Sequence, residues 1–65
     1  MELLKVDHTK PELLDINKEH LIRYEGNWAV RTIFQDSHLG YYVQPVVKGF
    51  PVINVTFLEA MYLLP

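Results

Sequence analysis

Residues 52–64, VINVTFLEAMYLL, are the most apolar stretch of this 65-residue chain. Only three of these residues, Asn54, Thr56 and Glu59, are polar. Thr56 and Glu59 have the S/T-x-x-E spacing of a capping box. In that motif the Thr hydroxyl accepts a hydrogen bond from the N3 amide, and the Glu side chain accepts one from the N-cap amide. The pattern therefore predicts a strand that ends before Thr56 and a two-turn helix over Phe57–Leu64.

The predicted C-terminal helix has almost no polar side, because Glu59 is its only charged residue. A helix that is apolar all round is normally buried all round. A chain of this size buries only about 60% of the surface of its unfolded state, so it has little material with which to surround such a helix. We therefore expect the helix to contact a partner, either a second copy of the chain or another protein.

Composition narrows the class of protein. The chain has no cysteine, which excludes disulfide frameworks, thiol catalysis and Cys-ligated zinc and suits a reducing compartment. A formal net charge of −2 argues against broad non-specific binding to nucleic acid or anionic lipid. The first ten residues contain no signal-peptide core, and the apolar C-terminal stretch is shorter than the ~18 residues of a membrane span. We expect one small domain, residues 1–65, that is soluble, cytoplasmic and not bound to membranes.

The N-terminal quarter predicts one strand and one helix. Met1–Val6 is short and apolar enough to form an edge strand. Thr9 and Glu12 repeat the capping-box spacing, and Pro11 falls in the first turn, where its missing N–H does no harm. These signals predict a helix over Lys10–Asn17.

Residues 18–24 have two interpretations. Apolar residues continue at helical spacing as far as Tyr24, and Gly26 would suit the position after a helix end. Alternatively, His20–Tyr24 and the segment from Trp28 form a hairpin around the turn Glu25-Gly26-Asn27. We favour the hairpin, although the sequence alone leaves helix or strand open here.

The segment from Trp28 to Gln35 alternates between two sets of side chains, as strands do. Residues 36–40 have turn composition, Tyr41–Val47 predicts the return strand, and Phe50–Val55 predicts the next one. Pro45 and Pro51 restrict these strands to edges or bulges. The predicted fold class is α+β, a small antiparallel β-meander of three to five strands with one N-terminal helix and a short apolar C-terminal helix.

No residue pattern predicts catalysis, a cofactor or a metal site. The three histidines, His8, His20 and His38, match no metal-ligand spacing. Asp36-Ser37-His38 contains the residue types of a hydrolase triad, but adjacent residues in one turn rarely reach the hydrogen-bonded geometry that a triad needs. We therefore expect a protein that is not an enzyme and binds no cofactor.

The predicted function is a small protein–protein interaction module, such as a homodimer, an accessory subunit or a small inhibitor of the kind that phages and mobile elements encode. Aromatic and large apolar residues dominate interface hot spots. The predicted partner-binding residues are Phe57, Met61, Tyr62 and Leu64 on the C-terminal helix, with Tyr41, Tyr42 and Trp28 on the sheet. The alternative is a nucleic-acid-binding module that uses the sheet aromatics with Arg23, Arg31 and Lys48.

Overall fold

The structure, a computed structural model, describes residues 2–65 and consists of two antiparallel sheets. The first sheet has the strand order β1-β7-β2-β3, and the second has the order β4-β5-β6. The strands are β1 (Leu4–Lys5), β2 (Glu19–Tyr24), β3 (Asn27–Thr32), β4 (Phe34–Asp36), β5 (Gly40–Val43), β6 (Ile53–Asn54) and β7 (Ala60–Leu63). Two 3₁₀ turns, Pro11–Leu13 and Val55–Phe57, are the helical segments among the described residues.

The hairpin interpretation of residues 18–24 is confirmed. Strands β2 and β3 pair over six residues, from Glu19 with Thr32 to Tyr24 with Asn27. The two turn residues, Glu25 and Gly26, have φ angles of 49° and 78°. Positive φ at both positions is the type I′ geometry that matches the twist of the flanking strands, and Gly26 adopts it without strain.

The C-terminal helix predicted over Phe57–Leu64 is wrong, because most of this segment is strand β7. β7 pairs with β1 on one side and with β2 on the other, so it lies inside the first sheet. Met61 points into the core and is fully buried. A short apolar run can be a buried strand as readily as a buried helix, since it has no period of its own. The uniform apolarity therefore reflects an interior strand.

The residues of the expected C-terminal capping box make different contacts. Asn54 caps the 3₁₀ turn, because its Oδ1 accepts hydrogen bonds from the Thr56 amide at 3.0 Å and from the Thr56 hydroxyl at 2.7 Å. The Glu59 carboxylate accepts a 2.7 Å bond from the Gly26 amide in the β2–β3 turn. Glu59 thus ties β7 to the hairpin instead of closing a helix.

The N-terminal helix predicted over Lys10–Asn17 is also wrong. The chain forms only the turn Pro11–Leu13, and Leu14 is already extended at φ −82° and ψ 148°. Thr9 does not cap the turn, because its amide and hydroxyl both donate to the Asp7 carboxylate. No residue of the turn is buried, so packing provides no reason for a longer helix.

The predicted α+β class is therefore corrected to an all-β architecture among residues 2–65. The predicted edge strand at the N-terminus is present as β1, although Met1 lies outside the described residues. The strands predicted over Tyr41–Val47 and Phe50–Val55 are present in shorter form as β5 and β6, and the intervening residues are loop. One core cluster joins residues of both sheets and their connections: Ile22, Ile33, Val43, Ile53, Val55, Leu58 and Met61.

Candidate functional site

An open groove of about 360 Å³ lies where β6 and the second 3₁₀ turn meet the β2–β3 hairpin. Its rim carries four large apolar side chains that remain in contact with solvent. Phe57 is 72% exposed, Phe50 56%, Leu39 50% and Val52 42%. We call this surface the apolar groove; it is lined by Tyr24, Glu25, Leu39, Tyr42, Phe50, Pro51, Val52, Ile53, Asn54 and Phe57.

Asn54 connects the loops that form the apolar groove. Its Oδ1 caps the turn that presents Phe57, and its Nδ2 donates a 2.9 Å hydrogen bond to the Leu39 carbonyl. The β4–β5 turn that carries Leu39 is itself fixed by Asp36, whose carboxylate accepts from the amides of residues 38 and 39 at 2.7 and 3.1 Å. These two amides lower the pKa of Asp36, which keeps the carboxylate charged and the turn closed.

The outer face of the first sheet carries two further aromatics, the exposed Trp28 and the half-buried Tyr62. The Trp28 and Tyr62 rings lie 6.2 Å apart between centroids, and the Arg23 guanidinium lies 5.8 Å from the Trp28 ring centroid. Arg23 also faces Glu59, with Nε and Oε1 at 3.8 Å. Lys5 is paired with Tyr62 across β1 and β7. The structure thus brings two cations and two aromatics together on one face, which we call the outer aromatic face (Lys5, Arg23, Trp28 and Tyr62).

The predicted partner-binding residues are distributed over several surfaces. Phe57 and Tyr42 line the apolar groove, and Tyr42 also stacks on Phe34 at 5.6 Å. Trp28 and Tyr62 form the outer aromatic face. The other three are less available: Met61 is fully buried, Tyr41 packs against the core, and Leu64 is half-buried beyond the end of β7.

The three cations predicted for nucleic-acid binding do not share one surface. Arg23 lies on the outer aromatic face, whereas Arg31 lies on the opposite face of the sheet, half-buried. The Arg31 guanidinium donates to the carbonyls of Val30 at 2.8 Å and Pro45 at 3.0 Å. Lys48 is in the loop after β5, beside the cavity that Arg31 lines.

None of the three histidines belongs to a group of three or more His, Asp or Glu side chains placed to hold a metal ion within residues 2–65. His20 is fully buried, and its Nδ1–H donates to the Lys18 carbonyl at 2.9 Å, while Nε2 has no hydrogen-bond partner among residues 2–65. Burial lowers the pKa of His20, so the ring is neutral in the folded chain. His8 contacts the Val55 carbonyl at 3.0 Å, and the amide of His38 is held by Asp36. None of the helical segments in the described part of the chain is long and apolar enough to cross a membrane.

Several groove residues were not predicted from the sequence, namely Leu39, Phe50, Val52 and Asn54. All of them lie in turns or in short strand ends that only the folded chain brings together. A signal was present in Leu39 and Phe50, which are large apolar residues within turn segments that solvent normally surrounds. The hydrogen-bonding role of Asn54 has no such signal, because it depends on the position of the β4–β5 turn.

Comparison of the chain with protein families, with curated proteins and with solved structures found no match.

Proposed function

We propose that this protein is a non-enzymatic protein-interaction module that binds a segment of another protein in the apolar groove. The observation that supports the proposal is the exposure of Phe57, Phe50, Leu39 and Val52 around one concave surface. Contiguous exposed apolar surface with a polar border is typical of interaction sites. A small ligand inside the groove would leave the apolar rim exposed to solvent, whereas a polypeptide segment would cover both the groove and its rim. For location we propose the cytoplasm, which a sequence without cysteine suits.

A displayed library of random peptides tests this proposal. Peptides selected on the wild-type protein should contain large apolar residues, and calorimetry should show that Phe57→Asp weakens their binding at least tenfold. Leu13→Asp is the matched control, because Leu13 is 76% exposed and lies outside the groove. Circular dichroism and a thermal melt establish that both variants are folded. Selected peptides that bind Phe57→Asp as tightly as wild type would contradict the proposal.

The molar mass in solution tests whether the partner is a second copy. Light scattering over a range of concentrations should give a monomer near 7.6 kDa if the groove is reserved for another protein. A dimer that Phe57→Asp separates and Leu13→Asp preserves would show that the chain binds itself through the groove. A dimer that neither substitution affects would place self-association elsewhere.

A second candidate function, nucleic-acid binding, is favoured by the outer aromatic face. Aromatic side chains beside cations stack the bases and hold the backbone of single strands. Arg23, Trp28 and Tyr62 have this arrangement, with the distances of 5.8 and 6.2 Å given above. Fluorescence anisotropy with a labelled single-stranded oligonucleotide at low salt tests it. Affinity that falls steeply with added salt and is lost in Trp28→Ala would support this function, and absence of binding would exclude it.

A further inference from the structure

Arg31 carries a positive charge that nothing in the described part of the chain neutralises. It is half-buried on the inner face of β3, directly opposite His20 of β2. Its hydrogen bonds go to two backbone carbonyls, and its Nε–H is buried without an acceptor. The ion pair that the structure contains among residues 2–65 joins Arg23 and Glu59, so it leaves Arg31 without a carboxylate.

A second cation lies at the same place. A shallow depression of about 520 Å³, open to solvent, is lined by Arg31 and by residues of the loop after β5, including Lys48. We call it the basic cavity; its lining residues are Arg31, Gln44, Pro45, Val46, Lys48, Gly49 and Val52. No acidic side chain is among them, so the cavity combines two positive charges with the amide of Gln44.

The donors that remain on these side chains define the class of ligand. A guanidinium has five N–H donors, and Arg31 uses only two of them in its bonds to carbonyls. Each terminal nitrogen therefore keeps one free proton, and the Lys48 ammonium has three. Planar guanidinium donors fit the two oxygens of a carboxylate, and a nearby ammonium adds charge without demanding a fixed geometry.

The basic cavity adjoins the apolar groove, because Val52 lines both. A segment that crosses Val52 would place an apolar side chain on one side of this residue and a polar one on the other. We propose that the basic cavity binds a carboxylate of the partner, an Asp or Glu side chain positioned next to the apolar residue that occupies the groove. This inference rests on the proposed function, and it specifies the chemistry of the partner: an apolar residue beside an acidic one.

The peptides selected in the library provide the first test. They should share an acidic residue at a constant spacing from the apolar one, and amidating it (Glu to Gln or Asp to Asn) should weaken binding about tenfold, equivalent to ~1.4 kcal/mol. Lys48→Glu should weaken binding of the acidic peptide by a similar factor and leave the amidated peptide unaffected. Lys10→Glu is the matched control, because it makes the same charge change on a residue that lines neither surface. A double-mutant cycle between Lys48→Ala and the amidated peptide isolates the pair.

A second measurement does not depend on the groove. In ¹⁵N NMR spectra, sodium acetate should shift the amide signals of Gln44, Lys48 and Gly49 in a saturable way, whereas sodium chloride at the same ionic strength should not. Selected peptides that are apolar without any acidic preference would overturn this inference and leave the proposed function intact. Failure to select any peptide would reject the proposed function, and the acetate titration would still report on the cavity. No saturable shift, or a shift with inorganic phosphate alone, would overturn the carboxylate assignment.

Discussion

Replacing Asn54 by alanine should loosen the apolar groove and destabilise the fold by a measurable amount. The substitution removes three hydrogen bonds: the two that Thr56 donates to the side-chain oxygen, and the one that the side-chain nitrogen donates to the Leu39 carbonyl. Loss of the cap frees the turn that carries Phe57, and loss of the third bond frees the turn that carries Leu39. Two of the four rim residues of the groove, Phe57 and Leu39, are therefore affected by one change.

The magnitude follows from the kind of bond that is lost. Replacing a capping Asn by Ala costs about 0.5–2 kcal/mol. A neutral hydrogen bond on the surface, such as the one to the Leu39 carbonyl, contributes about 0.5–1.5 kcal/mol. We therefore expect Asn54→Ala to lower the free energy of unfolding by about 2 kcal/mol, which in a domain of this size lowers Tm by roughly 8–16 °C. That is a large fraction of the total, since about 3–10 kcal/mol is typical of such a domain.

Urea denaturation followed by circular dichroism measures this loss. Asn54→Ser keeps an acceptor that can cap the turn and lacks the nitrogen that donates to the Leu39 carbonyl, so it should cost about half as much. Asn27→Ala is the surface control, because the Asn27 side chain makes one exposed 3.2 Å bond, to the Glu25 carbonyl. Equal losses for Asn54→Ala and Asn27→Ala would refute the role assigned to Asn54. A loss from Asn54→Ser as large as that from alanine would refute the division between cap and donor.

Two further substitutions and one change of pH test how the core, the β2–β3 turn and the buried histidine each contribute to stability. Met61→Ala should cost about 2–5 kcal/mol in urea denaturation, because Met61 is fully buried in the core, and a loss under 1 kcal/mol would contradict that position. Gly26→Ala should cost about 1 kcal/mol, since alanine is strained at φ 78° in the type I′ turn; an unchanged midpoint would contradict this geometry. Stability should fall as the pH drops below about 6.5, because burial lowers the pKa of His20 and the unfolded chain takes up a proton first. The contribution of neutral His20 to stability is complete above the pKa of this histidine in the unfolded chain, and it is lost as the pH falls towards the lower pKa in the folded chain. Equal stability at pH 7 and pH 5 would exclude this contribution.

The sequence favoured the hairpin because strand signals flank a turn, although helical spacing as far as Tyr24 left both structures open. Residues from Trp28 onward alternate between two faces, and Glu25-Gly26 supplies a two-residue turn that tolerates positive φ. These signals act over a few residues, so they do not depend on the rest of the fold. The edge strand near the N-terminus and the return strand β5 were predicted for similar reasons, although their lengths were not.

The two helices were wrong for a shared physical reason. The S/T-x-x-E spacing indicates a helix only if the following residues have a helical face to bury. The segment after Thr9 has no such face, because its Leu13 remains exposed to solvent. The Asp15 side chain instead accepts a hydrogen bond from the Asn17 amide at 3.1 Å, which forms a separate turn. After Thr56 the apolar run was free to join the sheet, where β2 satisfies its backbone groups. Strands distant in sequence decided the C-terminal segment, and the lack of a face to bury decided the N-terminal one. A local spacing motif contains neither kind of information.

The position of β7 changes where a partner should be sought. The sequence predicts an interface on a C-terminal helix that the chain is too small to cover, yet the chain covers Met61 completely by using this segment as an interior strand. The unburied apolar area lies instead on loops. Among residues 2–65, seven large hydrophobic residues form the core, whereas ten of comparable size stay exposed, and four of those ten surround one groove. The core does not include the exposed groove residues. Substitutions at Phe57 or Phe50 should therefore abolish binding with little loss of stability. Substitutions at Met61 should lower stability strongly and leave the groove surface itself unchanged.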